Sequence, residues 1–67
     1  MSNTYYAIKE KEVNLFVKKM LDTGDTLFLQ PVVTTIKSAA IVYTSIQAVT
    51  DAIALLEDNN EFEFVEV

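Results

Sequence analysis

The stretch from Thr44 to Val67, TSIQAVTDAIALLEDNNEFEFVEV, indicates the fold more clearly than any other part of the chain. Its first part carries apolar residues at the spacing of an amphipathic helix, namely Ile46, Val49, Ile53 and Leu56. From Glu61 onward, glutamate alternates with apolar residues, which is the two-residue period of a strand. The stretch therefore predicts a helix, a short turn and a closing strand.

Both ends of this helix carry sequence signals. Thr44 with Gln47 three positions later is the pattern of a capping box, in which each side chain bonds to the other residue's free backbone N–H. At the far end, Asn59 or Asn60 is expected to adopt the left-handed conformation of a helix cap. In the closing strand the alternation breaks at Phe64-Val65, which predicts a β-bulge there.

The first half of the chain predicts a three-stranded antiparallel meander. Tyr5 to Glu10 and Leu15 to Met20 both show the two-residue alternation of strands. The turn Asp22-Thr23-Gly24-Asp25 follows, with the only glycine of the chain where a positive φ is easily adopted. Thr26 to Gln30 is the third predicted strand, and Pro31 is expected to end it because proline donates no ladder hydrogen bond.

The middle of the chain is harder to interpret. Val32 to Ala40 is predicted as a loop, with a helical turn as an option at Ile36 to Ala40, and Ile41 to Tyr43 as a short strand or an extended lead into the helix. With 67 residues, the chain is short for a domain and buries about 60% of its unfolded surface. The prediction is a single α+β domain over 1–67, of order β-β-β-(β)-α-β, with one amphipathic helix on one face of the sheet.

The predicted strands carry apolar side chains on both faces. Phe16 and Phe28 lie opposite a second set of apolar residues, which comprises Leu15, Val17, Leu27 and Leu29. One helix covers only one face, so either the sheet curls strongly around the helix or a second chain covers the other face. We expect a homo-oligomer, most simply a twofold dimer. The alternative is that these side chains are scattered singly over the surface, which is common in monomers.

The charge is unevenly distributed. The net charge is −5, all five lysines precede Ser38, and after it the chain carries six acidic residues and no base. A nucleic-acid binder needs a basic surface, so direct nucleic-acid binding is not expected. Glu61 and Glu63 are predicted to lie on one face of the last strand, with Glu57 and Asp58 nearby, and to form an acidic edge. Such an edge is expected to mimic nucleic-acid phosphates or to meet a basic protein partner. The structural alternative is that these charges only discourage strand addition.

Enzymatic activity is not expected. The chain has no histidine and no cysteine, so the commonest general base, thiolate nucleophile and zinc ligands are missing. We assign no catalytic, cofactor-binding or metal-ligating residue. Asp22-Thr23-Gly24 resembles the Asp-Thr-Gly of aspartic proteases, but those enzymes need further glycine-containing segments that this chain lacks, so a turn is the preferred interpretation.

No targeting or membrane segment is predicted. The N-terminus lacks the basic start and apolar run of a signal peptide. The longest uncharged stretch, between Lys37 and Asp51, is too short to span a bilayer as a helix. A cytoplasmic location is therefore expected.

A resemblance accompanies these patterns. The segments Tyr5-Tyr6-Ala7-Ile8, Leu15-Phe16-Val17 and Ala40-Ile41-Val42-Tyr43, followed by an alanine-rich helix and Phe62 to Val67, resemble small uncharacterised proteins of Gram-positive phages and prophages. The resemblance implies a phage-like origin and a small α+β shape. It brings no functional residues with it.

Two functional hypotheses follow. The first is a small acidic, non-catalytic protein-interaction module, such as a phage-type modulator of a host protein. The second is a small-ligand-binding or sequestering protein with its pocket at a dimer interface. In that case Tyr5, Tyr6 and Tyr43 would stack on a ring and the lysines would hold phosphate.

Overall fold

Residues 3–24 and 27–67 are described in a computed structural model of the chain, and they form a four-stranded antiparallel sheet with one helix. The sheet has the order β3-β2-β1-β4. Its strands are β1 (Tyr6–Glu10), β2 (Phe16–Leu21), β3 (Gln30–Thr34) and β4 (Phe62–Glu66), and the helix α1 is Ile46–Ala54. The predicted α+β class, with one helix on an antiparallel sheet, is confirmed.

The first and last strands pair along their whole length. The register runs from Tyr6 opposite Glu66 to Glu10 opposite Phe62 without a shift, so the predicted bulge at Phe64-Val65 is wrong. The alternation breaks there for a different reason. Val65 lies directly opposite Ala7, which is fully buried, so this part of the other face is apolar as well.

The hydrophobic core lies between α1 and the sheet. Its buried members are Ile8, Val17, Val49, Ala52, Leu56 and Phe62. Burying one large aliphatic side chain contributes roughly 1.5–3 kcal/mol, so these few residues supply much of the stability of so small a domain. Of the predicted helical stripe, Val49 and Leu56 are buried and Ile53 packs against the cluster, whereas Ile46 is half exposed in the first turn.

The helix begins one residue later than predicted. Ser45, not Thr44, is the N-cap, and its Oγ accepts a hydrogen bond from the Ala48 N–H at 3.1 Å. Gln47 donates to Asp51 Oδ1 at 2.9 Å instead of completing a capping box. Tyr43 is held in the sheet by two backbone bonds to Tyr6, so the chain uses Thr44 to leave the sheet before the helix starts.

The far end of the helix also differs from the prediction. The helix ends at Ala54, and the left-handed residue is Asp58, with φ 55°, rather than Asn59 or Asn60. Aspartate tolerates this conformation because its short polar side chain can bond locally. Asn59 contributes instead through its side-chain amide, which donates to the Ala54 carbonyl at 3.4 Å.

The third strand lies later in the chain than predicted. Of the predicted Thr26–Gln30, Thr26 falls outside the described residues, and among the others only Gln30 belongs to β3. Leu29 forms an isolated parallel bridge with Leu56. Pro31 lies within β3 instead of ending it, which an edge strand tolerates because one side of its backbone has no strand to bond.

The turn before β3 is partly as predicted. Gly24 has φ 79°, which confirms the positive φ expected there, and its N–H donates to Asp22 Oδ1 at 3.0 Å. Asp25, predicted to complete the turn, lies outside the described residues. The connection between β2 and β3 is longer than a tight hairpin, since β2 ends at Leu21 and β3 begins at Gln30.

The segment between β3 and α1 lies between β1 and β2 where these two strands separate. It contains a 3₁₀ turn at Lys37–Ala39, which confirms the optional helical turn. Strands β1 and β2 are aligned only at Lys9 opposite Phe16. Beyond that point the Ile41 N–H bonds to the Val17 carbonyl, and Tyr43 exchanges two backbone bonds with Tyr6. Ile41 to Tyr43 is therefore an extended lead that joins the two strands.

The second face of the sheet is partly covered by the chain itself. Phe16 is only 8% exposed although it does not belong to the core cluster on the helix side. Strand β2 also has a register shift between Val17 and Lys19, a feature that increases local twist. Leu29, just before β3, bonds to the chain beyond the helix. Burial of Phe16 therefore does not require a second chain.

The N-cap provides a test of this structure. Ser45→Ala should lower the free energy of unfolding by about 1 kcal/mol, because the Ala48 N–H loses its acceptor. Thr44→Ala, the matched control, should change it by a few tenths at most. Urea denaturation monitored by circular dichroism measures both, and a larger loss for Thr44→Ala would contradict the observed cap.

Candidate functional site

Acidic side chains collect at one end of the molecule, where the chain leaves α1 and enters β4. We call this region the acidic end, and its members are Glu10, Glu12, Glu57, Asp58 and Glu61. They line two adjoining clefts that share Glu61. Among the described residues that line these clefts, Lys11 is the one base.

The first cleft lies between the start of β3 and the chain that follows the helix. It has a volume of about 260 Å³ and is lined by Gln30, Pro31, Glu57, Asp58, Glu61 and Phe62. Two backbone bonds hold its walls together. The Leu29 N–H donates to the Leu55 carbonyl at 2.8 Å, and the Glu57 N–H donates to the Leu29 carbonyl at 2.9 Å. The position of Glu57 is therefore set by the backbone of the opposite wall.

The second cleft lies where β1 ends beside the start of β4. Its volume is also about 260 Å³, and it is lined by Glu10, Lys11, Glu12, Val13, Asn60 and Glu61. The Lys11 N–H donates to the Glu61 carbonyl at 2.9 Å, which extends the β1–β4 ladder by one residue. This bond holds Glu61 between the two clefts.

The local sequence explains how the acids come together. Asp58 adopts φ 55° and ψ 42°, which reverses the chain directly after Glu57. The 3₁₀ turn Asn59–Glu61 follows, closed by a bond from the Glu61 N–H to the Asp58 carbonyl at 3.0 Å. A left-handed residue followed by a tight turn thus places three acids of five consecutive residues around one cleft.

No acid of the acidic end forms an ion pair with a lysine in the part of the chain that the structure describes. Among the residues that the structure describes, the one ion pair within 4.0 Å joins Lys9 Nζ to Glu63 Oε2 at 3.9 Å, and it lies outside both clefts. The helix ends close by with no basic residue in its last turn, and its C-terminal carbonyls add partial negative charge. The acidic end is therefore a region of negative potential.

The structure brings together three of the four predicted partner-binding residues. Glu57, Asp58 and Glu61 line one cleft, whereas Glu63 lies opposite Lys9 on the sheet face away from the helix. Glu10 and Glu12 are further neighbours of this group that the sequence does not predict. Their position depends on the pairing of β4 with β1, which no local pattern in the chain reveals.

The three predicted stacking tyrosines do not form one surface within the chain. Tyr6 and Tyr43 lie directly opposite each other and pack against the core, and burial raises the pKa of Tyr43. Tyr6 also meets Phe64 edge to face, with ring centroids 5.7 Å apart. Tyr5 precedes Tyr6 in the extended chain and so projects to the other face. No tyrosine lines either cleft.

Within residues 3–24 and 27–67, no group of three metal-ligating side chains is placed to hold a metal ion. In the same ranges, no helix has the length and apolar character needed to cross a membrane. Comparison of the chain with protein-family models, curated proteins and solved structures finds no match.

The left-handed conformation of Asp58 can be tested with two substitutions that remove the same charge. Asp58→Gly should have a free energy of unfolding in urea about 1 kcal/mol higher than Asp58→Ala, because the left-handed backbone is strained for alanine and not for glycine. Equal stability of the two variants would mean that the chain reverses differently at this position.

Proposed function

We propose that this chain is a small, non-catalytic protein-interaction module whose acidic end binds a basic segment of a partner protein. The observation that carries the proposal is the pair of adjoining clefts, lined by five carboxylates and one lysine. A concave surface of one charge attracts a partner of the opposite charge and orients it during encounter. The resemblance to phage proteins supports a host protein as the partner and the host cytoplasm as the place.

The strength of such binding comes from several weak ion pairs. An exposed ion pair contributes about 0.2–1 kcal/mol, so one carboxylate alone binds little. Glu61 lies in both clefts and is the residue whose charge acts on a partner in either. Because exposed charges are screened over about 8 Å at physiological ionic strength, binding should weaken as salt is added.

Charge reversal at the shared residue tests the proposal. Glu61→Lys should weaken capture of basic proteins from a bacterial lysate at least about fivefold, which corresponds to roughly 1 kcal/mol. Asp51→Lys makes the same change of charge on the exposed surface of α1, outside both clefts, and should leave capture unchanged. The readout is quantitative mass spectrometry of the captured proteins. If both variants retain the same basic proteins as the wild type, the acidic end is not the binding surface.

The predicted homodimer stays a proposal, and different residues now support it. Burial of Phe16 inside the chain removes part of the original argument. The new support is an exposed apolar patch formed by Leu27, Phe28 and Leu55. Leu27 is 97% exposed and precedes Phe28 in the chain. The Leu55 carbonyl accepts a hydrogen bond from the Leu29 N–H, which places Leu55 beside this segment. All three are exposed apolar side chains, and we propose that a second copy covers them.

Light scattering tests the dimer. The wild type should show twice the mass of one 7.5 kDa chain, and Leu27→Ser should show the mass of a single chain. The apolar residues Leu27, Phe28 and Leu55 border the acidic end, so salt should strengthen self-association by screening like charges. This effect is the opposite of the weakening that salt causes in binding of a basic partner. A wild type that has the mass of one chain at all salt concentrations would contradict the dimer.

A further inference from the structure

The outer edge of β4 carries no further strand among residues 3–24 and 27–67. Within those ranges, β4 ends the sheet and pairs with β1 alone. Two backbone bonds fix the orientation of this segment: the Lys11 N–H donates to the Glu61 carbonyl, and the Val67 N–H donates to the Tyr5 carbonyl. The backbone N–H and C=O groups of its odd-numbered residues therefore point toward β1. Antiparallel ladders alternate between inward- and outward-facing residues, so the backbones of Phe62, Phe64 and Glu66 face outward.

The outward-facing groups are available for hydrogen bonding. The Phe62 N–H donates to the Asn59 carbonyl. Within the part of the chain that the structure describes, the N–H groups of Phe64 and Glu66 have no backbone or side-chain acceptor. Two donors, and the carbonyls next to them, therefore present a short ladder to an incoming strand. The opposite edge, β3, includes Pro31, which cannot donate.

The two faces beside this edge differ in chemistry. On the helix side, Phe62 and Phe64 are neighbours along the strand, and Phe64 is 40% exposed although its ring contacts Tyr6. On the other side lie Glu61 and Glu63, both exposed. Nearer the C-terminus the order changes, with Glu66 on the helix side and Val65 on the other. Beside residues 61–64, an added strand fits best if it presents apolar residues to the helix side and basic residues to the glutamate side. Each matched cross-strand pair contributes roughly 0.2–1 kcal/mol.

A second copy of this chain is a poor occupant of the edge. Pairing β4 with β4 would bring Glu61, Glu63 and Glu66 of two chains to one seam, and charged side chains on an edge strand disfavour such pairing. The same glutamates attract lysine and arginine. The acids therefore select against self-pairing and in favour of a basic strand.

We infer that β4 binds an extended basic segment of a partner protein, which adds to the sheet as an antiparallel fifth strand. The inference rests on the proposed function and adds the binding mode. The acidic end attracts the segment, and the adjoining edge of β4 holds it through backbone hydrogen bonds. Alternation of basic and apolar residues in the partner is the sequence requirement that follows.

The test uses a defined peptide, Lys-Val-Lys-Val-Lys-Val-Lys, labelled with a fluorophore and titrated with the wild-type protein. In the added strand, valines on the side of Phe64 place their N–H groups toward β4. N-methylation of the three valines should therefore weaken binding at least about tenfold, since it removes the donors to the edge. N-methylation of three lysines leaves charge and composition unchanged and should have little effect. Fluorescence anisotropy gives the dissociation constants.

Two protein variants provide a second test. Phe64→Pro removes the outward N–H without touching the bonds to β1, and Phe64→Ala removes the same ring while keeping that N–H. Peptide binding should be weaker for Phe64→Pro than for Phe64→Ala. The two peptide isomers are compared on unaltered protein, so the result stands even if the proline variant does not fold.

The outcomes separate this inference from the proposed function. If Glu61→Lys weakens binding of the unmodified peptide but both methylated isomers bind equally, the acidic end binds basic chains and strand addition is overturned. If the unmodified peptide does not bind at all, strand addition is also overturned, while lysate capture by the wild type and not by Glu61→Lys still supports the proposed function. Loss of binding for the valine-methylated isomer alone supports strand addition.

Discussion

The antiparallel pairing of the first and last strands is the interaction on which the rest of this structure depends. It brings Ile8 and Phe62 onto the face that α1 covers, so the core cannot close until both ends of the chain have met. It places Glu10 beside the turn that carries Glu61, which creates the acidic end. It also makes β4 an edge, because the other side of β1 is already occupied by β2 and the Tyr43 segment.

The parts of the fold that follow local rules could be predicted from the sequence, and the parts that depend on distant neighbours could not. The apolar stripe of the helix, which includes Val49 and Ile53, and the positive φ of Gly24 are local properties, and the sequence predicts both. Pro31 was interpreted as a strand end because proline disrupts a central strand. Whether a strand is central or at an edge depends on the order of the whole sheet, and β3 lies at an edge.

The candidate site shows the same division. Glu57, Asp58 and Glu61 are close in sequence, and a single left-handed residue is enough to gather them. Glu63 separates from them because it lies within β4, opposite Lys9, whereas Glu61 belongs to the turn before the strand. Tyr5 separates from Tyr6 because side chains alternate along an extended chain. Charge composition thus identified the acidic region of the chain, while strand register decides which acids share a surface.

Cleft and edge adjoin at Glu61 and Phe62, so attraction by charge and capture by backbone bonds can act on one partner segment. Amide hydrogen exchange of the free protein, measured residue by residue by NMR, tests the underlying register most directly. Slow exchange is expected for Glu63 and Val65, whose N–H groups face β1, and fast exchange for Phe64 and Glu66, whose N–H groups face outward. Equal protection of all four amides, or the reverse alternation, would contradict this register.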